Sequence, residues 1–205
     1  MVLYARRMAW EHLFEDLEDQ LASGWEAQRA ALDAESERLR IARLELRTRL
    51  GALARSATTV TATLVDATTI RGRLCGAGAD WAALVPAGTS AMTVLPLTAV
   101  TLWGLDHGAV LDSSTDGEPL TPLQERMTLG FVLRDLVRRR AGVTVRIRGG
   151  LVLAGTIDRA GADHLDLALH DAGMPRRTQA VQGFRLIPLE ALLSVRTEGP
   201  SRLRA

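Results

Sequence analysis

The chain has 205 residues, 47% of them hydrophobic, which is enough to bury the core of one large domain or two small ones. Its net charge of +1 argues against a uniformly basic protein that coats nucleic acid, and no apolar run approaches the roughly 18 to 20 residues of a membrane span. The single cysteine, Cys75, has no partner for a disulfide or a metal cluster, and the amino-terminal residues turn acidic where a secretory signal would be apolar. We therefore expect a cytoplasmic protein without membrane contact.

Residues 1–56 have the pattern of an amphipathic helical region. A first stripe comprises Trp10, Leu13, Phe14, Leu17 and Leu21. A second series, Trp25, Leu32, Leu39 and Leu46, repeats every seven residues and continues to Leu53, with Gly24 as a candidate break between the two helices. The second stripe is a candidate partner-binding surface, and three arrangements fit it: self-pairing, docking on the rest of the chain, or a helical hairpin.

Residues 57–104 are predicted to form a first small β-barrel. Short stretches rich in β-branched residues are separated by turn signals, and they read VTATLV, TIRGRLCG, WAALV, SAMTV and AVTLW. Five short, bent strands are too few for a sandwich and suit a small closed barrel.

Residues 105–120 are predicted to be a linker and residues 121–140 a connecting helix. The linker contains DSSTDGEP at 112–119, which is rich in turn-forming residues. The helix is predicted to begin with Thr121 as its cap, Pro122 at its first position and Gln124 completing a capping box.

Residues 141–198 are predicted to form a second small β-barrel, followed by a tail at 199–205. Val143, Val145 and Ile147 alternate with polar residues, and Gly149 and Gly150 suit a tight hairpin turn. Gly155, like Gly72 in the first unit, is a candidate bend or bulge. Leu165, Leu167 and Leu169 are predicted to face inward.

An internal repeat relates the two units. GADWAALV at 78–85 corresponds to GADHLDLAL at 161–169 with an offset of 83 residues, and the same offset relates Val60 to Val143 and Gly72 to Gly155. Further along, LPLTAV at 95–100 matches IPLEAL at 187–192 with an offset of 92. The nine extra residues of the second copy fall within HDAGMPRRTQAVQGF, which we interpret as a loop or extended hairpin.

A helix followed by five bent strands, with the G-x-D motif at the third strand, resembles the Sm-like barrels and, more broadly, the SH3-like barrels. The residues that carry the resemblance are Gly72, Gly78, Asp80 and Leu84 in one copy and Gly155, Gly161, Asp163, Leu165 and Leu167 in the other. The whole chain also resembles a group of actinobacterial proteins often labelled Fis-family regulators. The resemblance implies an α+β protein: an N-terminal amphipathic helix or helical hairpin, then two duplicated five-stranded barrels, each preceded by a helix.

The residues suited to catalysis or metal binding do not form a recognisable site. His164, Asp166 and His170 would lie on the outer face of one strand, yet the two histidines are about 20 Å apart on an extended strand at roughly 3.3 Å per residue, too far to share an ion. Cys75 has no histidine beside it in sequence. The glycines of LCGAGAD and IRGGLVLAG are not followed by the lysine of a phosphate-binding loop. We therefore predict no catalytic residue, no metal and no cofactor.

The basic residues are concentrated in the last third of the chain. Residues 1–133 contain 12 Arg and 17 acidic residues, a charge of −5, whereas residues 134–205 contain 13 Arg and 7 acidic residues, a charge of +6. The candidate nucleic-acid-binding residues are Arg138, Arg139, Arg140, Arg146, Arg148, Arg176 and Arg177. A structural interpretation also holds, because arginines favour the last turn of a helix and can neutralise the acidic N-terminal region.

Two functions remain open on sequence alone. The first is a non-enzymatic protein-interaction scaffold or adaptor, which binds a partner or another copy through Trp25, Leu32, Leu39 and Leu46. The second is a regulator that binds RNA or DNA at the Arg-rich surface of the second barrel.

Overall fold

The computed structural model describes residues 2–115, 121–174 and 177–200, and these form two compact units, Met1–Leu44 and Glu45–Ala205. The first unit contains one helix, α1 (Val2–Ala42), which passes through Gly24 without interruption. The predicted break at Gly24, and with it the helical hairpin, is therefore wrong. A helix-interior glycine costs only about 1 kcal/mol relative to alanine, and the strong helix formers around Gly24 outweigh that cost.

The predicted second amphipathic helix ends earlier than its heptad pattern suggests. The chain leaves α1 after Ala42 and begins a separate helix, α2 (Leu46–Arg55), in the second unit. Leu46 and Leu53 therefore belong to α2, and Leu53 is buried in the core of the second unit.

The second unit is built on one antiparallel sheet of ten strands. In chain order the strands are β1 (Thr59–Leu64), β2 (Thr69–Ala77), β3 (Trp81–Pro86), β4 (Ala91–Pro96), β5 (Val100–Gly104), β6 (Gly142–Ile147), β7 (Val152–Ala160), β8 (His164–Leu169), β9 (Gly183–Pro188) and β10 (Leu192–Pro200). Their order across the sheet is β5-β1-β2-β3-β4-β10-β6-β7-β8-β9.

The two halves of this sheet repeat each other pair by pair. Val60 lies opposite Gly72 in β1 and β2, and Val143 lies opposite Gly155 in β6 and β7. The pairing of the first strand with the last strand of each half repeats as well. β1 pairs with β5 in the same register as β6 with β10, and the register shifts near Leu64 in one half and near Ile147 in the other. Five strands per half, in matching registers, agree with the predicted duplication.

The prediction of two closed barrels is wrong with respect to closure. β4 of the first half pairs with β10 of the second, so the halves form one continuous sheet. Across the described residues β5 and β9 each have a single neighbouring strand, and the sheet is therefore open at both.

A helix precedes each half, as predicted, but the helix predicted over 121–140 is split. It consists of α4 (Pro122–Arg126), with the expected capping box of Thr121 and Gln124, and α5 (Leu129–Arg139). The break is held by the first half of the sheet, because the indole nitrogen of Trp81 donates to the carbonyl of Met127 at 2.8 Å. Within the predicted linker at 105–120 lies a short helix, α3 (His107–Asp112).

The core consists of two clusters, and each includes residues from both halves of the sheet. The first cluster combines α2 with strands of the first half and includes Leu193 of β10. The second combines α5 with strands of the second half and includes Trp81, Ala83, Met92 and Val94 from the first half. One face of β3 and β4 is therefore covered by elements that belong to the second copy.

Two repeated glycines allow neighbouring strands to approach closely. A Cβ atom on Gly72 would lie 2.7 Å from the carbonyl oxygen of Val85, and one on Gly155 would lie 2.1 Å from that of Ala168. The bulges themselves occur further along β2 and β7, so the predicted bend positions are sites of close contact. Gly149 and Gly150 have φ values of 87° and 83°, as the predicted tight turn requires.

Candidate interaction surfaces

The apolar stripe of α1 is exposed within its own unit. Trp25, Leu32 and Leu39 are 63%, 61% and 51% exposed. Leu46, the fourth residue of the predicted stripe, is 51% exposed but lies on α2. The sequence-predicted set is thus divided between two helices, and the α1 stripe is defined here as Trp25, Leu32 and Leu39. Seven-residue spacing keeps its members on one side of a helix, where they can contact another helix.

The α1 stripe is flanked by charged pairs along the same helix. Arg40 donates to Glu37 at 2.7 Å, and Arg38 lies 3.5 Å from Glu35. Pairs three residues apart support an exposed helix by about 0.2 to 0.5 kcal/mol each. They stabilise α1 without covering the α1 stripe.

The predicted arginine cluster is only partly brought together. Arg138 and Arg139 both pair with Asp135 on α5, at 3.0 and 2.7 Å. Arg146 lies 3.6 Å from Asp66, and Arg148 donates to the carbonyl of Glu190 at 3.0 Å. Arg146 and Arg148 therefore contribute contacts within the fold.

The arginines that converge include one that the sequence analysis missed. Arg138, Arg140 and Arg159 line a depression of about 420 Å³, together with Thr156 and Asp158. Arg159 follows a bulge in β7, and bulges redirect side chains in a way that sequence spacing alone does not reveal. Of the two loop arginines, Arg177 is exposed, and Arg176 lies outside the described residues.

The predicted row of His164, Asp166 and His170 does not lie along one outer face. His170 is buried, and its Nε2 lies 2.8 Å from the hydroxyl of Thr156. The placement of His170 on the outer face is therefore wrong, because β8 ends at Leu169 and the next residue turns inward. Among the described residues no cluster of three metal-binding side chains occurs.

His164 and Asp166 occupy the positions of Trp81 and Ala83 in the repeat. In the first half, Trp81 and Ala83 pack in the core cluster that contains α5. His164 bonds with the neighbouring Asp163 at 2.8 Å, and this hydrogen bond holds the pKa of the Asp163 carboxyl below its usual value. Asp166 is half-buried, and its Oδ1 has no hydrogen-bond partner in the part of the chain that the structure describes. A buried carboxylate oxygen without a partner is unfavourable and calls for a group to satisfy it.

Cys75 is half-buried, and its thiol donates to the carbonyl of Ala83 at 3.4 Å. Burial raises the pKa of this thiol, which lowers the fraction present as reactive thiolate. These properties are those of a packing residue.

The two open edges of the sheet carry exposed apolar side chains that the sequence analysis missed. Leu102 on β5 is 53% exposed, and Phe184 and Leu186 on β9 are 55% and 73% exposed. The repeat contains the signal for them, since the offset of 92 residues aligns Phe184 and Leu186 with the buried Met92 and Val94. Exposed apolar residues on an edge strand are typical of interaction sites.

Comparisons with protein-family models, with curated proteins and with solved structures found no match. Across the described residues, no helix combines the length and the apolar character needed to cross a bilayer.

Proposed function

We propose that the chain is a non-enzymatic scaffold or adaptor, in which α1 binds a protein partner and two repeated halves of the Sm-like or SH3-like type provide a rigid platform. The observation that carries this proposal is the α1 stripe, whose three large apolar residues are each more than half exposed. We expect this scaffold to act in the cytoplasm.

The composition of the α1 stripe suits a helical partner. An apolar stripe on an amphipathic helix binds by packing into a hydrophobic groove or along a second helix. Tryptophan and leucine supply most of the energy at such surfaces, since burying one such side chain contributes about 1.5 to 3 kcal/mol.

The scaffold proposal is tested by affinity capture with variants of the full chain. Proteins retained on wild-type chain after nuclease treatment are compared with those retained on Leu32→Asp/Leu39→Asp. Leu151→Asp is the matched control, because Leu151 is also 51% exposed and lies in the turn between β6 and β7. We expect a stoichiometric protein that is lost only with the double variant. Retention that is the same in all three chains, or that disappears with nuclease, would contradict the proposal.

Nucleic-acid binding is the second candidate function, supported by the depression at Arg138, Arg140 and Arg159. Guanidinium groups bind phosphate through paired hydrogen bonds, and three of them in one depression can contact a nucleic-acid backbone. Asp135 and Asp158 lie nearby and reduce the local positive charge. Because these carboxylates offset part of the positive charge of the arginines, we rank the scaffold function above nucleic-acid binding.

The second candidate is tested by the salt dependence of binding to mixed-sequence duplex and single-stranded DNA and RNA. Arg138→Ala/Arg140→Ala is compared with Arg71→Ala/Arg73→Ala, two exposed arginines on β2. If the depression contacts phosphates, the first pair lowers the slope of log K against log salt by roughly 2 and the second leaves it unchanged. Equal slopes, or no binding at low salt, would rule out this function.

A further inference from the structure

One side of β8 and β9 carries His164, Asp166, Phe184 and Leu186, and these four residues define the β8–β9 face. We propose that this face binds an amphipathic helix of a partner protein, and that a basic residue of the helix pairs with Asp166. The helix would begin at the turn over residues 161–164. The inference goes beyond the scaffold role, since it gives the second unit a docking site that does not involve α1.

The strand register places these side chains together. Asp166 lies opposite Leu186, and Ala168 lies opposite Phe184, in antiparallel pairs. Paired residues, and alternate residues of one strand, point to the same side of a sheet. The alternate leucines of β8 lie on the other side, in the second core cluster. Because Leu186 and Phe184 are 73% and 55% exposed, the β8–β9 face presents two large apolar side chains beside a carboxylate.

The first half shows what covers the equivalent surface. By the two offsets of the repeat, the counterparts of the β8–β9 face are Trp81, Ala83, Met92 and Val94. All four are at most 2% exposed, and they pack in the core cluster that contains Val132, Leu133 and Leu136 of α5. A helix therefore covers this surface in the first half. The occupant that suits the second copy of the surface is likewise an amphipathic helix.

The turn before β3 holds the start of α5 by three hydrogen bonds. The amide of Ala79 and the indole nitrogen of Trp81 both donate to the carbonyl of Met127, at 3.0 and 2.8 Å. Asp80 accepts a hydrogen bond from the amide of Leu129 at 2.6 Å. The first amides of a helix have no partner within the helix, so a carboxylate at this place fixes where the helix begins.

The turn before β8 repeats this arrangement. The amide of Gly161 donates to the carbonyl of His164 at 2.8 Å, as that of Gly78 does to the carbonyl of Trp81 at 3.0 Å. The counterparts of the three residues that hold α5 are Ala162, Asp163 and His164, and all three are exposed. The Asp163 side chain is 89% exposed. This turn therefore offers a cap to the first turn of an incoming helix.

Asp166 indicates the charge of that helix. Its Oδ1 is shielded from solvent and has no hydrogen-bond partner among the described residues, although Arg159 lies opposite it on β7. Its counterpart Ala83 is fully buried in the cluster that contains α5. A helix placed in the same way would bring its apolar side towards the Asp166 carboxylate. Arginine or lysine would supply both the missing donor and the opposite charge. The β8–β9 face thus suits a helix with one basic residue within its apolar stripe.

The test uses the full chain and fluorescently labelled peptides that copy α5. The parent peptide covers residues 127–140, and three derivatives each carry one arginine in the apolar stripe, as Val132→Arg, Leu133→Arg or Leu136→Arg. Matched peptides carry aspartate at the same positions, and binding is measured by fluorescence anisotropy. We expect at least one arginine peptide to bind about tenfold more tightly than its aspartate match, because a close charge pair replaces a like-charge contact.

Two matched variants of the chain locate the site. Leu186→Ser removes an apolar contact without adding charge and should weaken binding of the arginine peptide about tenfold. Leu102→Ser is the control, because Leu102 is 53% exposed on β5, at the other open edge. This control should bind like wild type. Leu32→Asp/Leu39→Asp should also bind like wild type, so failure of the scaffold role is separable from failure of this site.

Asp166→Ala distinguishes a role in binding from a role in folding. Alanine already occupies the counterpart position 83, so the variant should fold, and loss of the unsatisfied oxygen should raise its resistance to urea. The same change should abolish the preference for the arginine peptide over its aspartate match. Asp163→Ala should weaken binding of every peptide roughly fivefold through loss of the helix cap.

The proposal is overturned if every arginine peptide binds no better than its aspartate match, if Leu186→Ser binds like wild type, or if the preference persists in Asp166→Ala. Native mass spectrometry at the concentrations of the titration tests a different occupant. A wild-type oligomer that dissociates in Leu186→Ser would assign the face to a second copy and not to a partner protein. Tighter peptide binding by Leu32→Asp/Leu39→Asp would show that α1 competes for the face, which would also overturn the proposal.

Discussion

Replacement of Gly155 by alanine tests the close approach of β7 to β8. The new Cβ would lie 2.1 Å from the carbonyl oxygen of Ala168 and 3.3 Å from the Cα of Leu169, both backbone atoms of the paired strand. Real Cβ atoms keep at least 3.0 Å, so β8 would have to move by about 0.9 Å, whereas the 2.7 Å approach at Gly72 requires about 0.3 Å. Overpacking of this kind costs about 1 to 3 kcal/mol. We expect Gly155→Ala near the top of that range and Gly72→Ala near the bottom.

The assay is urea and thermal unfolding followed by far-ultraviolet circular dichroism. At roughly 2 to 4 °C per kcal/mol for a chain of this size, a loss near 3 kcal/mol in Gly155→Ala should lower Tm by about 6 to 12 °C. Gly199→Ala is the control, because its Cβ would have no atom within 4 Å and its stability should stay within about 0.5 kcal/mol of wild type. Equal stabilities of Gly155→Ala and Gly199→Ala would refute the close approach.

Three further predictions concern single side chains. Trp81→Phe removes the donor to the carbonyl of Met127, which should lower the free energy of unfolding by about 1 to 3 kcal/mol in urea titrations. A change below about 0.5 kcal/mol would mean that the amide of Ala79, which also donates to this carbonyl at 3.0 Å, satisfies it without the indole. The amide of Thr68 donates to Asp66, and this hydrogen bond holds the pKa of the Asp66 carboxyl below its usual value. The ionised carboxyl therefore adds to the stability of the fold above the unfolded pKa near 4, and this stabilisation is lost as pH falls through the lower folded pKa. The stability difference between wild type and Asp66→Asn should shrink between about pH 5 and pH 2, and a constant difference would contradict this. Cys75 should react with a thiol reagent far more slowly in the native chain than in urea, and equal rates would show that its thiol is accessible.

The strands could be predicted from the sequence because each depends on local information. Alternation at Val143, Val145 and Ile147 and the turn at Gly149 and Gly150 identify a hairpin, and the offset of 83 residues transfers it to the first half. The pairing of β4 with β10 could not be predicted, because it joins residues about 100 positions apart and no local pattern specifies which strand edges meet. The prediction of closed barrels rests on the number, shortness and bends of the strands, and none of these specifies whether the edges of one half meet each other.

The split of the helix over 121–140 has a similar cause. Its amphipathic pattern is continuous, and the break at Met127 and Thr128 arises from contacts with Trp81 and Asp80, which are distant in sequence. These tertiary contacts outweigh the local helical preference.

The candidate sites were less predictable than the fold. Arginines that are close in sequence were expected to converge, yet Arg146 and Arg148 point to partners within the sheet, and Arg159 joins Arg138 instead. The repeat makes Phe184 and Leu186 the equivalents of Met92 and Val94, but it does not show that they are exposed. Their exposure follows from the strand order, which leaves β9 with one neighbour among the described strands.

A cross-strand disulfide tests most directly that the two repeats join edge to edge in one sheet. Thr93 and Arg196 are partners across β4 and β10, and Cα atoms of antiparallel partners are about 4.5 to 5.5 Å apart, within the range that a disulfide spans. After oxidation of Thr93→Cys/Arg196→Cys in a Cys75→Ala chain, we predict a peptide map in which these two cysteines are linked within one monomer, with no such link in either single variant. Two free thiols, or links only between chains, would contradict the continuous sheet.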